Sequence, residues 1–128
     1  MAVRVLIVDD QASFRRAARN VVELTDGFAV AGEVCSGEQA VQAARTFRPD
    51  LVLMDVRLPG IDGLEASRRI LRELADHHQP VIVLLSAEYS EAEPAWLAEC
   101  GAAAYVPKSD FGSERLFAAW TSATARPS

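Results

Sequence analysis

At 128 residues, half of them hydrophobic and 24% charged, the chain has the size and balance of one globular domain rather than two. A formal net charge of -5 argues against binding nucleic acid or an anionic membrane, both of which need a basic face, so neither contact is expected. No apolar run approaches the roughly 20 residues of a membrane span, and the apolar run at Met1–Val8 ends on two aspartates, unlike a signal peptide; a cytoplasmic protein is expected.

Short apolar runs alternate with longer amphipathic ones. Val5–Val8 is apolar throughout and reads as a strand buried on both faces. From Ser13 to Leu24, Phe14, Ala17, Ala18, Val21 and Val22 recur at helical spacing, with Arg15, Arg16 and Arg19 on another face. After Asp26-Gly27, Phe28–Val34 alternates large and small residues and reads as an edge strand. Ser36 predicts a helix cap with Gln39 three residues on, opening a helix to Thr46 that carries Ala40, Val41, Ala44 and, just beyond it, Phe47. Leu51–Met54 is a second fully apolar strand. Glu65–Ala75 is a helix with Ile70, Leu71 and Leu74, and His77 and His78 fall in the loop before Pro80, with no metal partner in view. Val81–Leu85 is a third apolar strand. Glu93–Cys100 is a helix with Pro94 near its start and Gly101 past its end. Ala102–Val106 reads as another edge strand, and Ser113 to about Thr124, with a serine before Glu114, as a last helix carrying Leu116, Phe117 and Trp120. The domain is expected over residues 1–124, with 125–128 a tail or the start of a linker. Cys35 and Cys100 have neither metal-ligand nor disulfide spacing and are expected as buried, reduced thiols.

The order is five βα units, and right-handed crossovers then put helices on both faces of one parallel sheet. In such a sheet all strands end on one edge, where ligands bind. The first strand ends on Asp9-Asp10, the third on Asp55, the fourth on Ser86 and the fifth on Lys108. Carboxylates gathered there repel one another and call for a counter-charge. All-oxygen donors with room for water favour Mg²⁺, and a carboxylate held against it can attack a phosphoryl group.

With these residues in view, the chain resembles bacterial response-regulator receiver domains over nearly its whole length. The matching segments are VLIVDD, RPDLVLMDVRLPGIDGLEA, VIVLLSA and AAYVPKS. The resemblance implies a (βα)5 flavodoxin-like α/β fold with strand order 2-1-3-4-5. It implies that Asp55 is the phosphorylated aspartate, and that Asp10 ligates Mg²⁺ directly and Asp9 through water. Asp55 itself and the Val56 carbonyl complete the protein ligands. Lys108 would pair with the phosphoryl group, Ser86 would hydrogen-bond one of its oxygens, and Tyr105 would follow Ser86. Arg57 and Glu88 fall where the family tunes dephosphorylation. The implied partner is a sensor histidine kinase or phosphotransfer protein. The implied output is a face of the fourth helix, fifth strand and fifth helix, carrying Trp96 and Trp120, for dimerisation or effector contact. The motifs PKSD and DVRLPGIDGLEA are closer to receivers that precede a helix-turn-helix domain, and hence to transcription regulation. Ser109 stands where many members have a proline after the lysine.

Three rivals fit less well. An aspartyl-nucleophile hydrolase would need an acid/base aspartate where Arg57 stands, and a guanidinium does not exchange protons at neutral pH. A flavodoxin-like cofactor binder would need a phosphate cradle where Asp9-Asp10 would repel one. A pseudo-receiver acting only through protein contacts would not need all of these site residues.

Overall fold

The computed structural model describes residues 2–87 and 93–125, and Glu88 therefore lies outside the described residues, as does 126–128 of the tail. The elements are β1 (Val3–Val8), α1 (Ala12–Leu24), β2 (Phe28–Val34), α2 (Gly37–Phe47), β3 (Leu51–Asp55), α3 (Gly63–Glu73), β4 (Val81–Ser86), α4 (Glu93–Cys100), β5 (Ala104–Pro107) and α5 (Ser113–Thr124), with a 3-10 turn at Lys108–Asp110. All strand pairs are parallel and the order is β2-β1-β3-β4-β5. The two strands of mixed or small residues, β2 and β5, are the edges, because only a strand covered on both faces needs a continuous apolar run.

The period of two along each central strand divides the core into two layers. Leu6, Val8, Val52, Met54, Ile82 and Leu84 face α2, α3 and α4, meeting Ala40, Ala44, Ile70 and Cys100. Val5, Ile7, Leu51, Leu53, Val83 and Leu85 face α1 and α5, meeting Ala18, Val22 and Leu116. Burying a Leu or Ile side chain in this way contributes about 1.5–3 kcal/mol, so these strands fix the sheet's register and the positions of its ends.

The helix starts show local chemistry at work. Ser36 Oγ accepts from the Gln39 N–H at 3.1 Å, and Gln39 Oε1 accepts from the Cys35 N–H at 2.9 Å, a reciprocal cap. Asp62 accepts from the Glu65 N–H at 2.8 Å and starts α3 at Gly63, two residues before the apolar periodicity predicts. At α5 the expected serine cap is not formed. Ser113 is the first helical residue, after Gly112, and its hydroxyl donates to Thr25 Oγ1 at 2.8 Å, while the Thr25 hydroxyl donates to the Val21 carbonyl at 2.6 Å, tying the end of α1 to the start of α5.

Several side chains lie elsewhere than their periodicity suggests. Phe117 is 55% exposed, and Ala17 is also exposed, because α1 and α5 each cover the sheet with a narrow stripe. Cys35 is exposed beyond the end of an edge strand, while Cys100 is buried. Trp96 and Trp120 do not share a face. Trp96 packs edge-on against Tyr105, with ring centroids 5.8 Å apart, in the α2–α3–α4 layer. Trp120 packs edge-on against Phe28 of β2, 6.5 Å away, in the other layer and towards the opposite edge of the sheet. His78 lies in the loop before Pro80, its Nε2 3.4 Å from Asp50 Oδ1. Among the described residues no peptide bond is cis, and no helix is long and apolar enough to cross a membrane.

One glycine is dictated by close approach. Gly63 donates its N–H to the Val56 carbonyl at 2.8 Å, and a Cβ there would stand 2.1 Å from the Asp55 carbonyl oxygen and 2.9 Å from Val56 Cα. The loop after β3 thus folds back onto the strand end with no room for a side chain. Gly63→Ala should lower unfolding free energy by about 1–3 kcal/mol, read as a lower urea midpoint with an unchanged slope.

Candidate functional site

The site grows from the carboxyl edge of the sheet. Asp9 leaves β1 still tied to β2, its N–H donating to the Val34 carbonyl at 3.2 Å. Its Oδ1 accepts from the Gln11 N–H at 2.8 Å, and its carbonyl accepts from Arg15 Nη1 at 2.7 Å. Asp9 is buried at 1% exposure while Asp10 is exposed, so the pair gives one carboxylate to the interior and one to solvent. Asp55 is the last residue of β3, buried, with Oδ1 accepting from the Arg57 N–H at 3.3 Å. Ser86 is the last residue of β4 and is buried beside them.

Lys108 enters from the turn after β5. Its ammonium lies 2.5 Å from Asp9 Oδ2 and 3.6 Å from Asp55 Oδ2. Carboxylate oxygens of Asp9, Asp10 and Asp55 lie within 4.8 Å of one another. They border a cleft of about 220 Å³ lined by Asp10, Asp55, Ser86 and Lys108, together with Gln11, Arg57 and Ala87. Tyr105 lies below it, buried, opposite Leu84 in the β4–β5 ladder.

The Val56 carbonyl, expected to complete a metal's ligand set, accepts from the Gly63 N–H with one of its two lone pairs. Arg57, one residue further along, lines the cleft. Gln11 also belongs to the lining and was missed. It carries no periodic signal, and only its place directly after the aspartate pair could have pointed to it.

The electrostatics follow from burial. Asp55 has its pKa raised to about 6, chiefly by desolvation and then by the Asp9 charge, with Lys108 and the Arg57 N–H pulling the other way. Asp9 Oδ2 is buried, and the Lys108 ammonium is the group that meets it among the described residues. Three clustered carboxylates, all hard oxygen donors, beside an open cleft with room for water are the donor chemistry of Mg²⁺. The acidic cluster is consistent with an Mg²⁺ site.

Comparison with known proteins agrees. The model of the response regulator receiver domain matches residues 5–121. The chain is 40% identical over 106 residues to the response regulator GacA of Pseudomonas viridiflava, covering 83% of this chain and 48% of that protein. It is 42% identical over 106 residues to the response regulator UvrY of Escherichia coli, covering 83% of this chain and 47% of that protein. The chain therefore spans about half the length of these relatives. Among solved structures, a two-component response regulator of the LuxR family from an Aurantimonas species superimposes with a TM-score of 0.86 at 30% identity, covering 98% of this chain and 88% of that one. The signal receiver domain of the putative response regulator NarL from Mycobacterium tuberculosis does so with a TM-score of 0.85 at 28% identity, covering 98% of each.

The raised pKa of Asp55 has a stability consequence with a definite sign. Above about pH 6 the folded protein carries a charge that burial and Asp9 disfavour, whereas the unfolded chain carries it freely above the ordinary value of 3.8. The destabilisation is complete above about pH 6 and vanishes as pH falls below the unfolded value. In the presence of a chelator, Asp55→Asn should be more stable than the parent by about 1–2 kcal/mol near neutral pH. That gain should disappear near the unfolded pKa, as urea titrations of both proteins at the two pH values would read.

Proposed function

The chain belongs to the family of response-regulator receiver domains, and on that premise we propose that Asp55 is its phospho-acceptor in two-component signalling. Receivers are signalling modules rather than catalytic enzymes, and membership implies a histidine kinase or phosphotransfer protein as the partner. The observation that carries the reading is the gathering of Asp9, Asp10 and Asp55 around one point, with Lys108 in contact with two of them.

In this reading Asp10 and Asp55 would hold Mg²⁺ directly and Asp9 through water. A backbone carbonyl of the loop after Asp55, that of Val56 or of Arg57, would complete the set, the Gly63 N–H occupying one lone pair of the former. When bound, the ion would screen the carboxylates and the transferring oxygens. An Asp55 Oδ attacks the phosphorus of a phosphohistidine. The new O–P bond forms as the P–N bond breaks, and the imidazole leaves with the electron pair. Lys108 takes up charge on the phosphoryl oxygens, and the Ser86 hydroxyl donates to one of them. Tyr105, against Trp96, is the side chain through which a displaced Ser86 reaches α4 and β5.

The same reading gives residues 1–124 as the receiver unit and the α4–β5–α5 edge as the surface for a second copy or an effector. Trp120 is set aside from that edge because it packs on Phe28. The motifs PKSD and DVRLPGIDGLEA support transcription regulation as the output in this reading. Incubation with a small acyl phosphate and Mg²⁺ should add one phosphoryl mass to the wild type, and none to Asp55→Asn or in the presence of a chelator. Equal labelling of the wild type and the Asp55→Asn variant would sink the assignment.

Arg57 flanks the cleft and is proposed, with Glu88, to obstruct the line along which water attacks the aspartyl phosphate. Arg57→Ala should shorten the phosphoryl half-life about two- to fivefold, the range of an exposed charge pair, measured as phosphate release after the donor is removed. An unchanged half-life would show that Arg57 does not gate the water.

A further inference from the structure

Lys108 reaches its carboxylates across an aromatic ring that the mechanism above does not use. Its Nζ lies 4.5 Å from the centroid of Phe14, in the first turn of α1. The same ring meets Phe111, with centroids 6.2 Å apart and planes inclined at 47°. Phe111 closes the turn that carries Lys108, its N–H donating to the Lys108 carbonyl at 3.2 Å. One half-buried ring therefore touches both the ammonium and the loop that delivers it.

The chemistry explains why an aromatic suits this place. The Lys108 side chain is 11% exposed, so its ammonium has lost most of its water. Asp9, at 2.5 Å, compensates, whereas Asp55, at 3.6 Å, lies beyond ordinary hydrogen-bond reach. To serve a phosphoryl oxygen on Asp55, the ammonium has to give up part of its contact with Asp9. An aliphatic neighbour would offer nothing during that displacement, and another carboxylate would trap the cation. A ring face attracts a cation through its quadrupole, anywhere within about 6 Å of the centroid. We propose that Phe14 is a positioning residue for phosphoryl capture, its ring holding the Lys108 ammonium as it passes from Asp9 towards the phosphoryl group on Asp55. The proposal rests on the reading of Asp55 as acceptor.

Phe14→Leu keeps apolar bulk and removes the ring face, while Phe14→Tyr keeps the face. The first measurement needs no phosphoryl donor. In metal-free protein the Lys108 ε-methylene protons should be shifted upfield by the ring, a shift lost in Phe14→Leu and kept in Phe14→Tyr. Its absence from the wild type would overturn the placement, whatever the acceptor. The second measurement is phosphorylation by a small acyl phosphate at saturating Mg²⁺. Phe14→Leu should lower the saturating rate about three- to tenfold, with the half-saturating donor concentration unchanged, and Phe14→Tyr should restore it. In a Lys108→Met background, Phe14→Leu should make no further difference. Equal losses in Phe14→Leu and Phe14→Tyr, or the same fold-loss without Lys108, would reduce Phe14 to a packing residue and overturn the proposal. Labelling of Asp55→Asn as strong as that of the wild type would overturn the acceptor reading and this proposal with it. A preserved ring shift would then distinguish that outcome from failure of the ring's placement.

Discussion

A parallel sheet delivers every strand end to one edge, and here that edge gathers the carboxylates of Asp9, Asp10 and Asp55 around the single ammonium of Lys108. Left alone, those like charges would push the strand ends apart. What holds them is the packing below: Leu6, Val8, Leu53, Met54, Leu84 and Leu85 are buried at the same strands' ends and fix their register. Apolar burial in two layers thus sustains an electrostatic arrangement that is unfavourable by itself, and the cost stays local, as a carboxyl pushed up to about 6. A cation bound among the three carboxylates would offset that repulsion.

The surroundings of the site are tuned to hold that arrangement rather than relieve it. Asp9 is anchored on one side by the Gln11 N–H and through its own carbonyl by Arg15. Arg15 and Arg19 in turn pair with Glu33 of β2, Arg19 Nε at 2.7 Å and Arg15 Nε at 3.9 Å from its carboxylate. On the other side the loop after Asp55 is pinned by Gly63 and by Glu38 of α2, whose carboxylate accepts from the Ile61 N–H at 3.3 Å. These contacts bind the loop after Asp55 to β3, α2 and α3. The fourth strand and the turn after β5 supply the remaining groups, Ser86 and Lys108.

The likeness to GacA and UvrY concerns a unit that makes up about half of each of those proteins. The aromatic residues divide between the two layers. Trp96 of α4 meets Tyr105 edge-on, next to the strand that carries Ser86, whereas Trp120 and Phe28 close the far side of the opposite layer.

The sequence by itself determined the alternation of strands and helices, the central and edge strands, and the candidate residues at the strand ends. Each of these depends on local rules: period, run length, turn chemistry and the residue that follows an apolar run. Only the tertiary structure decided where side chains from different elements meet. It turned the Val56 carbonyl to Gly63 and brought Gln11 into the cleft. It exposed Cys35 and Phe117, gave Ser113 to Thr25 instead of to its own helix, and sent Trp96 and Trp120 to opposite layers. It also laid Phe14 beneath Lys108, 94 positions away in the chain by its numbering. Helical periodicity marks Phe14 only as apolar, because a period records which face of an element is covered and carries no information about which atom of another element covers it.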